Sequence, residues 1–429
     1  MRMPEWITAS LRVVGALIRP LFLMLILAHP ALGQRPFPDS ADRILIFTDQ
    51  LPTQLSTEQL KFVASHYVGT QKMPPSWTVK VRAINPNFIV LHYQLALGNG
   101  PADFLAGEKW VNDFDRVQQH PDWFFHGENG APLLQPAWNW YVMDIRFDHG
   151  RPVTGYPQDW VETAVSRMRE NQCDGVFADS YTQDILMNQT QPKSEPFASA
   201  AACTRDWLPN LNAFGDYCAT ALHQQPEKFY YLPNLGGLVT TWDRTTNFAV
   251  GDGGMNEGFA APGPGQYYSE ADWKQAMTTL LQLASQGKIA LCQTSIAADN
   301  MDDRSFVVGS FLLVKGHRSY LNMMAKSSLE WYPEYDIPLG KFSDEPAADV
   351  AHYYFAPWKC YRRLFEHGMV LVNPTGGKVA LTLDQPYRLA VPHGGGPVSD
   401  SAKTTGTLTY ESITQVELSA HDACVLLSP

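Results

Sequence analysis

The sequence predicts a (β/α)8 TIM barrel followed by a small all-β, sandwich-like domain. Eight short apolar runs rich in strand-forming residues recur between residues 43 and 324, and segments with helical periodicity or turn residues separate them. After about Asp344 the pattern changes to alternating apolar and polar residues with Gly, Pro and Asn turns. We therefore expect an export signal at 1–33, the barrel at 34–343 and the β-domain at 344–429.

The predicted strands follow one another along the chain, with the clearest helices between them. The strands are predicted at 43–49, 87–94, 140–146, 173–179, 229–234, 247–257, 288–295 and 319–324. Helices are predicted at 157–171 and 270–287, and the second ends on Gly287 and passes directly into a strand. A doubly wound open sheet is the alternative, disfavoured because no Gly-rich phosphate-binding loop follows the first strand.

The N-terminal segment has the pattern of an export signal. Arg12 and Arg19 precede the apolar run "LFLMLILA", and "ALG" at 31–33 supplies the small residues of a cleavage site, so that Gln34 would begin the mature chain. The region before the apolar run is longer than usual, which leaves an uncleaved anchor open. We expect a secreted or periplasmic protein with no membrane association after cleavage.

Net charge bears on which polymers the chain can bind, and the cysteines bear on disulfides and metal sites. The net charge of −11, without a cluster of Lys and Arg, disfavours nucleic acid and other anionic polymers. Among the six cysteines, Cys203 and Cys218 are predicted to form a local disulfide, whereas Cys173 and Cys292 lie in apolar runs typical of buried thiols. No spacing is typical of a zinc site. We expect no metal, no cofactor and a monomer.

Two stretches share the pattern D-G-x-x-x-[D/E]: "DGVFAD" at 174–179 and "DGGMNE" at 252–257. At ~3.3 Å per residue the two acids of each stretch stand roughly 16 Å apart, so that only Asp179 and Glu257 can reach the carboxyl ends of their strands. Barrel enzymes carry their active sites at that face. The structural alternatives are a helix cap at Asp179 and an ordinary turn at Glu257.

We place the two acids at the ends of the fourth and sixth strands. Their backbones would stand roughly 10 Å apart across one intervening strand, and side chains that lean inward would bring the carboxyl groups closer. Paired carboxylates at such distances cleave glycosidic bonds, with retention of configuration at ~5–5.5 Å and inversion at ~6.5–9.5 Å. We expect the retaining geometry.

Other polar and aromatic residues fall at or just beyond predicted strand ends, where they would suit a sugar-binding cleft. These candidate substrate-binding residues are Asp49, His92, Tyr93, Asp144, Arg146, Tyr181, Asn234, Gln293, Asn322, Trp138 and Trp140. The structural alternatives are a satisfied core histidine at His92, an ion pair between Asp144 and Arg146, and core packing for each aromatic ring.

The stretches "DGVFADS", "LPNLGG" and "MNEGF", with a β-domain that ends in "AHDACVLL", carry a family resemblance. The chain resembles the glycoside-hydrolase-like (β/α)8 barrel families, glycosyl hydrolase family fifteen among them, which are related to polygalactosaminidase-type endo-α-glycosidases. The resemblance implies a barrel with a nucleophile at Asp179 and an acid/base at Glu257.

These observations together predict an exported glycoside hydrolase that acts on a neutral or weakly charged oligo- or polysaccharide. A carbohydrate-binding barrel without turnover is the alternative, because geometry decides whether two acids act together. A metal-dependent hydrolase is disfavoured, because Asp49, His92 and Asp144 lack compact ligand spacing.

Overall fold

A computed structural model describes residues 34–52, 54–101, 113–127, 130–136, 139–181, 200–239, 251–325 and 329–429. The predicted export signal at 1–33 lies outside this range, as does Trp138. None of the helices within it combines the length and the apolar character needed to cross a bilayer.

Eight parallel strands form the predicted barrel. They are β1 (Ile46–Gln50), β2 (Tyr67–Lys72), β3 (Ile89–Leu95), β4 (Gly175–Asp179), β5 (Tyr230–Pro233), β6 (Gly253–Glu257), β7 (Ile289–Ser295) and β8 (Ser319–Met324). The sheet runs in the order β5-β4-β3-β2-β1-β8-β7-β6. A parallel bridge between Asn234, just after β5, and Met255 of β6 joins the two ends. The fold class predicted from the sequence is confirmed.

Within the described ranges, six helices of ten residues or more accompany the strands. They are α1 (Thr57–His66), α2 (Pro75–Ile84), α3 (Tyr156–Asn171), α4 (Ala200–His223), α5 (Glu270–Ser285) and α6 (Met301–Val314). Local sequence sets their starts: α1 begins at a capping box of Ser56 and Gln59, and the Ser269 side chain caps α5 by accepting from Asp272 N. The predicted helices correspond to α3 and α5.

One predicted strand is wrong and one barrel strand was missed. Trp140–Val142 pairs antiparallel with Gly98–Asn99 and Leu134–Gln135 in a small sheet outside the barrel. This sheet lies in the long connection from β3 to α3, which also holds a hairpin of Phe147–Asp148 and Arg151–Pro152 and short helical segments at Phe114–Val117 and Pro121–Trp123. The missed strand is β2, whose sequence "YVGTQK" is too polar to resemble a buried strand.

Side chains alternate between the inside of the barrel and the layer beneath the helices. The inner cluster includes Phe47, Leu91, Phe177, Leu232 and Leu291. Residues one position along face outward and join the larger core beneath the helices. The parity along each strand therefore decides which polar side chains can reach the mouth.

The C-terminal residues form the predicted all-β region, a six-stranded antiparallel sheet in the order β9-β10-β11-β14-β12-β13. Its strands are β9 (Tyr354–Phe355), β10 (Cys360–Phe365), β11 (Gly368–Asn373), β12 (Val379–His393), β13 (Thr407–Leu418) and β14 (Asp422–Leu427). One face packs on α6, where a Cβ on Gly309 would lie 2.3 Å from Ala423 Cβ. On the other face Leu371, Leu381 and Leu418 join a second core. A short antiparallel strand pair, Glu330–Trp331 with Gly396–Pro397, joins this region to the segment that follows the last barrel strand. Single 3-10 turns lie at Pro333–Asp336, Val350–Tyr353 and Ala356–Trp358.

The predicted disulfide between Cys203 and Cys218 is wrong. Both residues lie in α4, and 15 residues of helix separate their backbones by about 22 Å, whereas a disulfide requires Cα atoms within ~7 Å. Cys218 is a buried free thiol. Cys173 and Cys292 are also buried free thiols, as predicted.

Candidate active site

The two matched stretches have the same local structure. The glycines that open β4 and β6 allow close strand pairing, since a Cβ on Gly175 would meet Tyr230 O at 2.5 Å and one on Gly253 would meet Ile289 O at 1.8 Å. Each strand then ends in an acid followed by a residue in the left-handed region: Ser180 at φ 57° and Gly258 at φ 77°. The chain therefore turns away directly after Asp179 and after Glu257.

A single amide joins the two acids. Asn234 Nδ2 donates to Asp179 Oδ1 at 2.8 Å and to Glu257 Oε2 at 2.7 Å. The sum of these two distances, 5.5 Å, is the upper limit for the separation of the two carboxylate oxygens. At the ~120° between the two N–H bonds of an amide nitrogen the separation would be about 4.8 Å.

The segment after β5 fixes the orientation of this amide. Asn234 Oδ1 accepts from Gly236 N at 3.0 Å, so that the nitrogen faces the carboxylates. The same segment lies alongside β6, because Leu235 N donates to Met255 O at 2.8 Å and Glu257 N donates to Gly236 O at 3.0 Å. The backbone contacts that close the barrel thus also place Asn234 between the two acids.

The two carboxylates differ in their surroundings. Asp179 accepts a second hydrogen bond, from Tyr93 Oη to Oδ2 at 2.5 Å, and burial together with the Asp179 charge raises the pKa of Tyr93 well above its usual value. Glu257 is exposed to solvent within the mouth of the barrel, but the protein around it removes enough water to raise its pKa. The negative charges of Asp179 and Asp49 add to that rise, and the bond from Asn234 opposes it.

Strands β1 and β2 contribute a third acid and its partners. Asp49 forms an ion pair with Lys72 Nζ at 2.9 Å and accepts from the Gln71 amide. The Lys72 ammonium also lies 4.7 Å from the centre of the Tyr93 ring. Lys72 and Gln71 were not predicted, because they lie on the missed strand. The signal that could have found them is the capped amphipathic helix α1, which in a barrel must pass into a strand.

Strands β7 and β8 complete the polar ring with Gln293 and Asn322. The Asn322 amide donates to Gln293 Oε1 at 3.1 Å, and Gln293 stands beside Glu257 in the register of β6 and β7. The structure therefore brings the predicted residues Asp49, Tyr93, Asn234, Gln293 and Asn322 to the same end of the barrel as the two acids.

The other predicted substrate-binding residues with described positions lie in structural roles. His92 faces outward on β3 beneath the helices, where burial lowers its pKa to about 3. Trp140 is buried in the small sheet against Gly98. The Arg146 guanidinium donates to both oxygens of Asp144, at 2.9 and 2.7 Å.

Tyr181 is the last of these residues, and it holds α4 against the barrel. Its hydroxyl donates to Leu211 O at 2.6 Å and its ring is buried. The structure thus gives Tyr181 a structural contact, as it does for His92, Trp140, Asp144 and Arg146, and does not show these five side chains in the polar ring around the two acids. Their substrate-binding role stays a prediction.

The residues that the structure describes include no group of three His, Cys, Asp or Glu side chains placed to hold a metal ion. The three residues considered for metal binding are dispersed: Asp49 pairs with Lys72, His92 faces outward and Asp144 pairs with Arg146.

Comparisons with known proteins give one family match. The model of a family described as "Hypothetical glycosyl hydrolase family 15" matches residues 82–369. A comparison with curated proteins found no match.

Solved structures give weak likenesses. Alpha-L-fucosidase isoenzyme 2 from Paenibacillus thiaminolyticus is 8% identical with a TM-score of 0.40, and the match covers 66% of this chain and 46% of that chain. SrfJ from Salmonella typhimurium is 10% identical with a TM-score of 0.38, covering 91% of each chain. Pullulanase from Bacillus acidopullulyticus is 11% identical with a TM-score of 0.41, covering 92% of this chain and 62% of that chain. At such TM-scores nothing about this chain follows from the likenesses.

Proposed function

The chain belongs to hypothetical glycosyl hydrolase family 15, and on that premise we propose that it is an exported enzyme that cleaves the O-glycosidic bonds of an oligo- or polysaccharide with retention of configuration. The observation that carries the proposal is the Asn234 amide, which donates to Asp179 and Glu257 together and keeps their oxygens within 5.5 Å. Retaining enzymes place their carboxyl groups ~5–5.5 Å apart, whereas inverting enzymes leave room for a water molecule.

Asp179 is the nucleophile in this proposal. Its two oxygens accept from Tyr93 Oη and Asn234 Nδ2, and these donors stabilise the ionised carboxylate and fix its direction. The carboxylate attacks the anomeric carbon as the bond to the leaving oxygen breaks, and a glycosyl ester of Asp179 forms.

Glu257 is the acid/base. Desolvation and the neighbouring charges of Asp179 and Asp49 favour its protonated form, as a general acid requires. Glu257 gives its proton to the leaving oxygen in the first step. In the second step it takes a proton from the water that attacks the anomeric carbon, and the ester bond to Asp179 breaks. Since the first step needs the protonated form, the rate should fall as the pH rises through the raised pKa of Glu257.

The polar ring at the mouth supports a carbohydrate as the substrate. Side chains of Asp49, Gln293 and Asn322 supply the donors and acceptors that sugar hydroxyl groups require, and they surround the two acids on neighbouring strands. Export and a monomeric state are part of the proposal and rest on the sequence alone.

A glycan panel followed by NMR of the first-formed product tests this function. We expect hydrolysis of at least one glycan, with the anomeric configuration of the substrate retained before mutarotation. A first product of inverted configuration would make Asp179 a base that acts through water. Binding of glycans without any hydrolysis would favour the carbohydrate-binding alternative.

A further inference from the structure

A cavity of about 250 Å³ opens beside the barrel mouth, at the junction of β1 and β8. Its lining includes Thr48, Asp49 and Gln50 of β1, Asn322 of β8 and Ser295 at the end of β7. Glu330, Tyr67 and Tyr335 also line it. The two catalytic acids proposed above do not line this cavity, and of the residues proposed to bind the sugar only Asp49 and Asn322 do.

The pairing of the two strands explains why the cavity is there. β1 and β8 pair at a single position, Ile46 with Leu321, near their amino ends. Every lining residue of β1 beyond Ile46, and every lining residue of β8, follows that position in its strand. The two strands therefore separate towards the carboxyl face, and the barrel wall is open there next to the two acids.

Two chains of contacts connect the cavity with the acids. On one side Asn322 donates to Gln293, which stands beside Glu257 in the register of β6 and β7. On the other side Asp49 pairs with Lys72, whose ammonium lies on the Tyr93 ring. At ~4.8 Å between strands, the β8 wall of the cavity lies roughly 10 Å from Glu257, within the span of a short oligosaccharide.

Size and unsatisfied polar groups point to a single sugar ring as the occupant. The cavity is smaller than the ~300–1,000 Å³ of pockets for drug-sized ligands, so it suits one ring rather than a polymer. The side chains of Thr48, Gln50 and Ser295 make no hydrogen bond with any residue in the described ranges. They are therefore available to sugar hydroxyl groups, with the tyrosine rings as an apolar wall.

The charge of the lining selects among sugars. Asp49 and Glu330 are acidic, and no Lys, Arg or His occurs among the described residues that line the cavity. Lys72 of the neighbouring strand pairs with Asp49 and offsets part of its negative charge. A sugar carboxylate would meet like charges there, whereas a neutral sugar would not and an amine-bearing sugar would be attracted.

We propose that this cavity is a second sugar subsite of the enzyme, which takes a neutral or amine-bearing ring of the substrate and excludes a uronic acid. The inference rests on the proposed glycosidase function. It assigns to the opening between β1 and β8 the role of binding one ring while the scissile bond lies over Asp179 and Glu257.

Two substitutions at the rim test the subsite by calorimetric binding in the Glu257→Gln background, where turnover is suppressed. Maltohexaose and cellohexaose serve as neutral probes, a glucosamine hexamer as the cationic probe and hexagalacturonate as the anionic probe. Ser295→Trp should fill the cavity and weaken binding of a neutral or cationic probe at least about tenfold. Ser285→Trp, on the exposed side of α5, is the matched control and should change little.

Gln50→Lys tests the charge without filling the cavity. One added positive charge should improve hexagalacturonate binding about fivefold and weaken binding of the glucosamine hexamer by a similar factor, with both effects smaller at high salt. The control is the same substitution at an exposed glutamine of α5, Gln282→Lys.

The outcomes separate the subsite from the enzymatic proposal. Weakening of binding by Ser295→Trp without any hydrolysis by the wild-type protein would keep the subsite and remove the enzyme. Hydrolysis by the wild-type protein with a KM that Ser295→Trp leaves unchanged would overturn the subsite alone. The subsite is also overturned if every neutral and cationic probe fails to bind, or if hexagalacturonate binds best before Gln50 is changed.

Discussion

The amino and carboxyl ends of β4 and β6 use the same kind of side chain in opposite ways. At the amino ends, Asp174 accepts from Val90 N and pairs with Arg35 and Arg82, and Asp252 accepts from Tyr231 N and pairs with His223. Each of these carboxylates has its own backbone donor on the neighbouring strand and its own cationic partner.

At the carboxyl ends the arrangement is reversed. Asp179 and Glu257 share one neutral amide, and their nearest charges include each other and Asp49. A carboxylate with separate cationic partners stabilises the fold, whereas two carboxylates that share a neutral donor keep a mutual repulsion that a ligand or a proton can relieve. The difference supports the proposal that the first acid of each motif stabilises the fold and that the second acts on the substrate.

The largest expected effect is on turnover at the carboxyl ends. Asp179→Asn and Glu257→Gln should each lower kcat by at least about 10³-fold, because each removes a group that acts at the reacting atoms. Thermal stability should stay close to that of the wild type. Asp384→Asn, on the exposed surface of β12, is the control for activity lost during expression and purification. Wild-type turnover in either variant would break the contrast between the two ends.

The next effect is on stability at the amino ends. Asp174→Asn leaves the buried Arg82 without its carboxylate and should lower the free energy of unfolding by about 3–5 kcal/mol, with kcat of the folded protein unchanged. Asp252→Asn should cost less, because the Asp252 side chain is 23% exposed and its partner His223 can lose its proton. Urea unfolding measures both. Equal losses in the two variants would contradict the ranking.

A smaller effect tests the shared amide. Asn234→Ala should lower kcat/KM by about 10- to 100-fold, because the two carboxyl groups lose their common anchor. The pKa of Glu257 should rise, since the Asn234 bond opposes the rise caused by burial, so the alkaline limb of the pH–rate profile should move to higher pH. Asn256→Ala removes the bond from Asn256 of β6 to Gly236 O but no hydrogen bond to either carboxylate, and it should leave that limb in place.

The smallest effect concerns the half-exposed pair of His223 and Asp252. The hydrogen bond to Asp252 raises the pKa of His223 in the folded protein. This pair therefore contributes fully to the free energy of unfolding below the unfolded-state pKa of His, near 6.5, and the contribution is lost as the pH rises through the pKa of His223 in the folded state. His223→Gln should therefore cost less than about 1 kcal/mol at pH 5.5 and almost nothing at pH 8.5. His149→Gln, at a side chain that is 95% exposed, should show no such dependence.

Most of the barrel could be predicted because buried parallel strands are apolar, and seven of the eight strands have that character. β2 could not, because its carboxyl half holds the polar residues Thr70, Gln71 and Lys72, of which Gln71 and Lys72 contact the Asp49 carboxylate at the mouth. The wrongly predicted barrel strand at 140–146 kept the number of predicted strands at eight, although β2 is missing from them. Asp179 and Glu257 were therefore assigned to the correct fourth and sixth strands by two errors that cancel.

The candidate site was less predictable, since strand parity and loop packing decide which side chains meet. Tyr93 and His92 are neighbours in sequence, yet one donates to Asp179 and the other lies beneath the helices. Every residue of β3 is buried, and its polar residues His92 and Gln94 lie on the face beneath the helices. Polarity therefore gives the wrong signal for which face of this strand reaches the mouth. For Asp144 the sequence leaves open both a site role and a pairing with Arg146, and the structure shows the ion pair.

Helix α6 packs against both the barrel core and the C-terminal sheet, and this should couple the unfolding of the two. It is buried on all sides, with Phe306 and Phe311 in the large core of the barrel region and Gly309 against Ala423 of the C-terminal sheet. Arg363 of β10 also donates to the carbonyl groups of Leu312, Leu313 and Lys315, where the helix ends. A chain truncated before the C-terminal sheet would expose this helix to water. Gln34–Pro429, which form one compact unit, should therefore unfold in a single cooperative transition.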